Sequence, residues 1–369
     1  MIEYTVKLRN PSGVVLSYSL PNASLAWAMS ERCVGGLSMT IPGGEIDPAW
    51  ITSDARVEVW RRVDGGVPWL LGGQWLIEKI VTSGNQQNIS FNAVDFNTQM
   101  DRRIIDYNAS TPEAANAYTD KSGAADDVIK AFVRENIGAL ATDTTRRLAD
   151  LTVAADAALG PTIQKQASRK NLLTTCQDIA LDSLNKGTYL TWGWIFNENA
   201  FTFQTYINQL GINHGSTSND TIVISIERGN LMDPVLTEDY SNERTIVKIG
   251  GSGNGADRAI GTATNATRLA SSPFARKEYF SSGTSTDDTA TLNAEASAKL
   301  AEFRPRRTLT GRIVETEELR FGIHVNYGDV IVAEYAGRSF DCHLDTVSGD
   351  VVGGIEKKLT ILFHGEEII

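Results

Sequence analysis

In the first hundred residues apolar side chains recur at every second position in short runs broken by glycine, asparagine and proline, the pattern of half-buried antiparallel strands. The runs predict strands over Ile2–Arg9, Val14–Leu20, Leu37–Ile41, Arg56–Val63, Trp75–Thr82 and Asn88–Val94. Turns are expected at Asn10-Pro11-Ser12-Gly13, Gly43-Gly44 and Asp64-Gly65-Gly66. The last is a hairpin turn, because Asp-Gly adopts positive φ at little cost.

From about residue 105 the period changes to that of a helix. Val128, Ile129, Phe132, Val133 and Ile137 share one face of Ser122–Gly138, with Ser122 placed to cap the start and Gly138 to end it. Leu172, Leu173, Cys176, Ile179, Ala180 and Leu184 do the same in Ser168–Gly187. Thr188–Phe196, the turn Asn197-Glu198-Asn199 and Ala200–Tyr206 then predict a hairpin whose Trp192, Trp194, Phe201 and Phe203 would cover the helices' apolar faces.

Beyond residue 215 the strand pattern returns, over Thr221–Glu227, Arg244–Gly250, Glu278–Ser281, Thr308–Val314, Asp329–Tyr335, Asp341–Val347 and Lys358–Phe363. One helix interrupts it: Thr289–Phe303 aligns Leu292, Ala296, Leu300 and Phe303, starts after Asp287-Asp288 and is stopped by Pro305. The expected fold class is mainly β with an α/β insert: a β segment over 1–104, a helix–hairpin module over 105–214 and a second β segment over 215–369.

The two β segments share an order of words. Asp54-Ala55-Arg56-Val57-Glu58-Val59 is followed by Ile77-Glu78, Ser83-Gly84 and Ile89-Ser90-Phe91; Gly328-Asp329-Val330-Ile331-Val332 is followed by Leu344-Asp345, Ser348-Gly349 and Leu359-Thr360-Ile361. A duplicated unit explains this, with a longer hairpin around Pro68–Gly73 in the first copy; so does the small vocabulary of antiparallel sheets.

Composition narrows the function. With 41% hydrophobic and 21% charged residues the chain is ordinary for a globular protein. Its longest strongly apolar run, Tyr189 to Phe196, is too short to span a bilayer. The amino end lacks the charged-then-apolar pattern of a secretory signal, so synthesis is expected to end in the cytoplasm. The net charge of −11 opposes a tight grip on a phosphate backbone, which depends on Lys and Arg replacing counterions. Cys33, Cys176 and Cys342 are far apart and are expected to be buried free thiols; with His214, His324, His343 and His364 equally scattered, no metal site is expected.

Gly250-Gly251-Ser252-Gly253-Asn254-Gly255 is the most conspicuous local feature, and it follows a strand as a phosphate cradle would. A cradle needs a helix to open at once, but Ala256 to Thr264 reads as strand and no Gly-Lys-Ser/Thr is present. The expectation is a tight loop whose backbone closely approaches something else. Ser252 nearly forms a nucleophile elbow, but Asn254 stands where the last glycine belongs. The acid pairs Asp126-Asp127, Asp287-Asp288 and Glu366-Glu367 read as solvated or capping charges, and the seven tryptophans as packing residues in alternating strands. No cofactor is expected.

Ser225-Ile226-Glu227-Arg228-Gly229-Asn230-Leu231, then Tyr240, Asn242 and Thr245-Ile246-Val247-Lys248-Ile249-Gly250-Gly251-Ser252-Gly253-Asn254-Gly255-Ala256-Asp257-Arg258, resembles the strand–Gly-Asn-Leu–strand–glycine-loop–Arg passage of tail hub proteins, or baseplate hub proteins, of long-tailed bacteriophages. The preceding helix–helix–hairpin, the Arg276-Lys277-Glu278-Tyr279-Phe280 strand and the Leu292–Leu300 helix fall in the order those proteins show, so the resemblance covers most of the chain. It implies two β-barrel-like tube domains flanking the insert module and a homotrimeric ring whose six tube domains continue a six-fold tail tube. The residues it marks are structural: Gly250, Gly251, Gly253, Gly255 and Arg258 in one loop, Gly229, Asn230 and Leu231 in one turn.

The implied partners are further copies of the chain, a distal tail or tube protein, tip, spike or fibre proteins, the tape-measure protein, and DNA only in transit through the lumen. The implied place is the tip of the virion tail, after assembly in the cytoplasm of a host bacterium. With no lytic domain before Ile369, the resemblance points to a purely structural hub. A cell-wall hydrolase or carbohydrate-binding protein of a phage tip and a hexameric distal-tail or tube protein stand as alternatives. The acidic balance fits a lumen wall that repels DNA as well as it fits a dispersed soluble surface.

Overall fold

The computed structural model describes residues 2–84, 88–107, 119–282 and 286–368. The chain divides into two units, one of residues 1–184, 188–234 and 311–364, the other of 185–187, 235–310 and 365–369. The architecture is mainly β, and among the described residues no helix is long and apolar enough to cross a membrane.

Among the described residues a 14-stranded sheet organises the chain. Along it Val15–Ser17, Ile2–Arg9, Arg56–Val63, Trp69–Ser83, Asn88–Val94, Gly36–Pro42 and Ser24–Ser30 are neighbours in that order, and Ser24–Ser30 then pairs with Arg338–Val352. That last pairing is antiparallel, Ser30 opposite Thr346 and Ser24 opposite Val352, and it joins early and late strands in one sheet. The strand Ser24–Ser30 has no counterpart among the expected elements. Leu25, Trp27 and Met29 are buried on one face, but alanines between them blur the alternation.

The Asp-Gly hairpin forms as expected: Asp64 (φ 49°) and Gly65 (φ 74°) close the turn, and the Gly66 amide bonds the Val63 carbonyl at 2.9 Å. The extra length near Pro68–Gly73 is absorbed as a bulge, since Glu58 pairs with Gln74 and Val59 with Leu71, leaving Gly72 and Gly73 unpaired. The expected strand Val14–Leu20 shrinks to Val15–Ser17.

The helices keep their apolar faces but start at different caps. Ser122 does not cap; it lies in the strand Thr119–Ala124 opposite Gln164, and the helix runs over Ala125–Asn136 without a side-chain cap. Strand pairing there takes the backbone that a cap would use. Gly138 does end that helix, its amide bonding the Val133 carbonyl at 3.1 Å. The helix Leu172–Asn185 is capped by Asn171, whose Oδ1 accepts the Thr174 amide at 2.9 Å, rather than by Ser168. Val128, Ile129, Phe132 and Val133 pack with Leu172, Cys176, Ile179, Trp192 and Phe203 in one core. Phe201 turns elsewhere, to Leu76 and Phe96.

In the second unit Ile260–Thr264, Ile246–Gly250 and Glu278–Ser282 form a three-stranded sheet with Ile246–Gly250 in the centre. The helix Thr289–Glu302 packs Leu292 and Ala296 on Val247 and Ile249. Its N-terminus is capped as expected, Asp288 accepting the amides of Ala290 and Thr291.

Candidate functional site

The glycine loop leaves the central strand of the small sheet and enters Ile260–Thr264 through a short 3-10 turn, Gly255–Asp257, so no helix N-terminus faces it. Part of its backbone is bonded to the following strand and to Thr286. Gly251 N–H bonds the Ala259 carbonyl at 2.8 Å, Ser252 N–H the Thr286 carbonyl at 2.9 Å, and Ala259 N–H the Ser252 carbonyl at 3.1 Å. Arg258 folds back over the loop: Nε donates to the Gly251 carbonyl at 3.1 Å, Nη2 to the Gly250 carbonyl at 3.3 Å, and the guanidinium lies 5.5 Å from the centre of the Phe280 ring.

The close approach expected of this loop is therefore to Arg258 and to the helix. A Cβ on Gly250 would lie 2.6 Å from Arg258 Nε, and one on Gly251 would lie 2.2 Å from the Thr286 oxygen and 2.8 Å from a Leu292 methyl. Gly253 has φ +92° and Gly255 φ +57°, the left-handed region that favours glycine. Gly261 was not singled out in the sequence, yet a Cβ there would stand 2.2 Å from the Leu292 carbonyl carbon. No local pattern marks it, because the helix that touches it lies thirty residues on.

The second marked segment is a turn. Gly229 (φ +71°) lets the chain reverse, and Asn230 ties it: Oδ1 accepts the Ser225 amide at 2.9 Å, Nδ2 reaches the Val223 carbonyl at 3.4 Å, and the Asn230 carbonyl accepts Val314 N–H at 3.0 Å. Asn230 and Leu231 are both buried.

Three of the four histidines have neighbours in the fold. His214 Nδ1 lies 3.0 Å from the Asp220 carbonyl, His324 Nδ1 accepts the Arg320 amide, and His343 stacks on Tyr189 with centroids 3.8 Å apart. Among the described residues no group of three or more His, Cys, Asp or Glu could hold a metal ion. Cys176 and Cys342 are buried, and burial pushes both thiols up; Cys33 is exposed, contrary to expectation, because it follows its strand in a surface turn. Asp126 also departs from expectation. It is fully buried, paired with Lys130 at 2.9 Å and bonded to the Leu159 amide at 2.7 Å. Asp288 is a cap, and Glu366 and Glu367 pair with Arg306 and Arg307. Trp27, Trp75 and Trp192 are buried, and Trp50 is 36% exposed.

Three polar groups were invisible in the sequence because their partners are distant. Asn97 Oδ1 accepts both indole N–H groups, Trp192 at 3.1 Å and Trp194 at 3.0 Å, while its Nδ2 donates to the Cys33 carbonyl at 2.7 Å. Asp95 accepts the Gly35 and Asn97 amides at 2.8 and 2.9 Å, and burial raises its carboxyl to about 7. Both line a 250 Å³ pocket walled by Trp69, Trp194, Tyr206 and Tyr327. Glu243, in the second unit, is buried under Arg268 at 2.7 Å and Lys277 at 2.8 Å; burial opposes its ionisation, but the two cations win and hold it low.

A family model described as Siphovirus ReqiPepy6 Gp37-like protein matches residues 76–361. No curated protein matches the sequence. Prophage tail protein gp18 from Listeria monocytogenes EGD-e is similar over 98% of this chain and 94% of its own, at 11% identity and a TM-score of 0.51. The tail protein from Neisseria meningitidis MC58 aligns over 99% and 97% at 12% identity and a TM-score of 0.49. A chain of the Francisella PdpA–VgrG complex aligns over 100% of this chain and 52% of its own at 9% identity and a TM-score of 0.51. At such identities the likeness is one of fold.

Proposed function

The chain belongs to the Siphovirus ReqiPepy6 Gp37-like family, and on that premise we propose that it is a structural tail hub protein. Three copies form a ring at the tail tip that joins the tail tube to tip, spike or fibre proteins and leaves a channel for the tape-measure protein and the genome. The observation that carries this reading is the fold shared with prophage tail protein gp18 over nearly the whole of both chains. The segments 1–104 and 215–369 are the two tube-like halves, and 105–214 the insert between them. Gly250, Gly251, Gly253, Gly255 and Arg258 act as a rigid corner, and Gly229, Asn230 and Leu231 as a buttressed turn.

The chain has no catalytic role in this reading. The chain assembles in the host cytoplasm and ends at the tip of the virion tail. Native mass spectrometry of the full chain, with immunogold labelling of particles, tests this. A mass of three copies and label at the tail tip are expected. A persistent monomer, a ring of six, or label along the tube would sink the hub assignment.

A further inference from the structure

The pocket lined by Asp95 and Asn97 in the first unit holds polar groups that the fold leaves unspent. Among the described residues no hydrogen bond or ion pair engages the Arg32 guanidinium or the hydroxyls of Tyr206 and Tyr327, and all three residues line it. Arg32 stands at φ 60°, a conformation that costs an arginine energy and persists only where its surroundings impose it. Its guanidinium lies 4.7 Å from the centre of the Tyr189 ring. Burial, reinforced for Tyr327 by Glu31 and Asp95, pushes both phenols up, so each keeps a proton to donate. The acceptors are already engaged: Asp95 receives two amides and Asn97 Oδ1 two indoles. Gly72 and Gly73, which the bulge leaves outside the ladder, also line the pocket, and bulges of this kind re-aim the chain beside binding sites.

These donors decide what fits. A purely apolar occupant would bury them without acceptors, the costliest way to desolvate a polar group. An anion would gain from Arg32 but would meet the charges of Glu31, Asp95 and Asp345, which reach the same pocket through Tyr327 and, for Glu31 and Asp345, lie close to Arg32 itself. The occupant that suits both donors and walls is neutral, with acceptor oxygens around its edge and C–H groups on its face. An uncharged sugar ring has that chemistry. Its C–H face is drawn to the negative π clouds of rings such as Trp69 and Trp194, and its hydroxyl oxygens accept from Arg32, Tyr206 and Tyr327. The volume of 250 Å³ admits a single such ring, and an aromatic lining with a few placed polar groups is that of small-molecule sites.

We propose that this pocket binds one uncharged hexose ring, free or at the end of a glycan, with Arg32, Tyr206 and Tyr327 holding its hydroxyls. The site goes beyond the hub reading and does not depend on how many copies assemble, so its failure leaves the ring untouched. The test uses the full chain, read by saturation-transfer NMR and tryptophan fluorescence. Glucose, galactose, mannose, rhamnose and N-acetylglucosamine are the neutral probes, glucuronate the charged one and toluene the apolar one. At least one neutral sugar should bind with a dissociation constant of about 1 mM or below. Arg32→Asn, whose new side chain tolerates positive φ, should weaken that binding about 10-fold. Tyr206→Phe, which deletes only a hydroxyl and keeps the test open if Arg32→Asn fails to fold, should weaken it about threefold. Absence of binding by every neutral sugar, tighter binding of glucuronate or toluene, or a sugar affinity that neither variant changes would each overturn the site.

Discussion

Arg61 and Glu356, 295 residues apart, form a buried two-pronged ion pair, Nε to Oε2 at 2.9 Å and Nη2 to Oε1 at 3.2 Å, with side chains 1% and 8% exposed. Two further bonds join the cluster: Arg61 Nη1 bonds the Phe321 carbonyl at 2.9 Å, and the Tyr4 hydroxyl donates to Glu356. The pair links the strand Arg56–Val63 to the strand Ile355–Ile368 within the first unit.

Arg61→Ala should therefore destabilise the first unit by about 3–5 kcal/mol, because it strands Glu356 in a dry site. Arg61→Met with Glu356→Leu should recover much of that loss, since an apolar pair leaves no buried charge. Urea unfolding with unchanged slope measures both; a loss under 1 kcal/mol for Arg61→Ala would show that water reaches the carboxylate.

Asp95 makes stability depend on pH. Its folded carboxyl titrates at about 7 because of burial, against 3.8 when free. The folded state therefore holds a proton that the unfolded chain lacks between those values, and the contribution of Asp95, on the order of a few kcal/mol, is complete below the free value and lost as pH rises through 7. Glu31, Asp329 and Asp345, raised by burial, act with the same sign. His343, lowered to about 4 by burial and then by Arg32 and His364, acts oppositely as pH falls below 6.5. Thermal midpoints should rise from pH 8 to about 6.5, and Asp95→Asn should flatten that rise. An equal slope in the variant would assign it to other groups.

Glycine substitutions should rank by what a methyl would meet. Gly251→Ala drives a Cβ into the Thr286 oxygen and Leu292, whereas Gly255→Ala enters open space at φ +57°. The first should cost well over the ~1 kcal/mol expected of the second, which bears only backbone strain. Calorimetry of the two variants decides, and equal losses would mean that the loop yields freely to the helix.

Asn230→Ala should cost about 1–3 kcal/mol by leaving the buried Ser225 amide without its acceptor. Asn230→Asp keeps an acceptor but loses the bond to the Val223 carbonyl, so it should fall between wild type and alanine near neutral pH. Hydrogen exchange at Ser225 reads this directly, and unchanged protection in Asn230→Ala would show that another group holds the turn.

What the sequence determined by itself is what neighbours along the chain decide. Ile2–Arg9, Arg56–Val63 and Asn88–Val94 form where period-2 alternation places them. Asp64-Gly65 makes its turn because its backbone preferences act within four residues, and Asp288 caps because its amides follow at once. The glycine run was legible as a loop entering a strand rather than a helix, since that too is a local fact. Tertiary structure alone decided the rest. Ser122 lost its cap to strand pairing with 162–167, and Ser24–Ser30 became the strand that meets 346–352. Asp126 was buried because Lys130 and the Leu159 amide came to it. Arg61 with Glu356, Asn97 with two indoles, and Gly261 under Leu292 are likewise meetings of residues far apart in the chain. A charge or an amide far from its partner carries no periodicity, so only the folded chain shows which polar groups are dry enough for their bonds to matter.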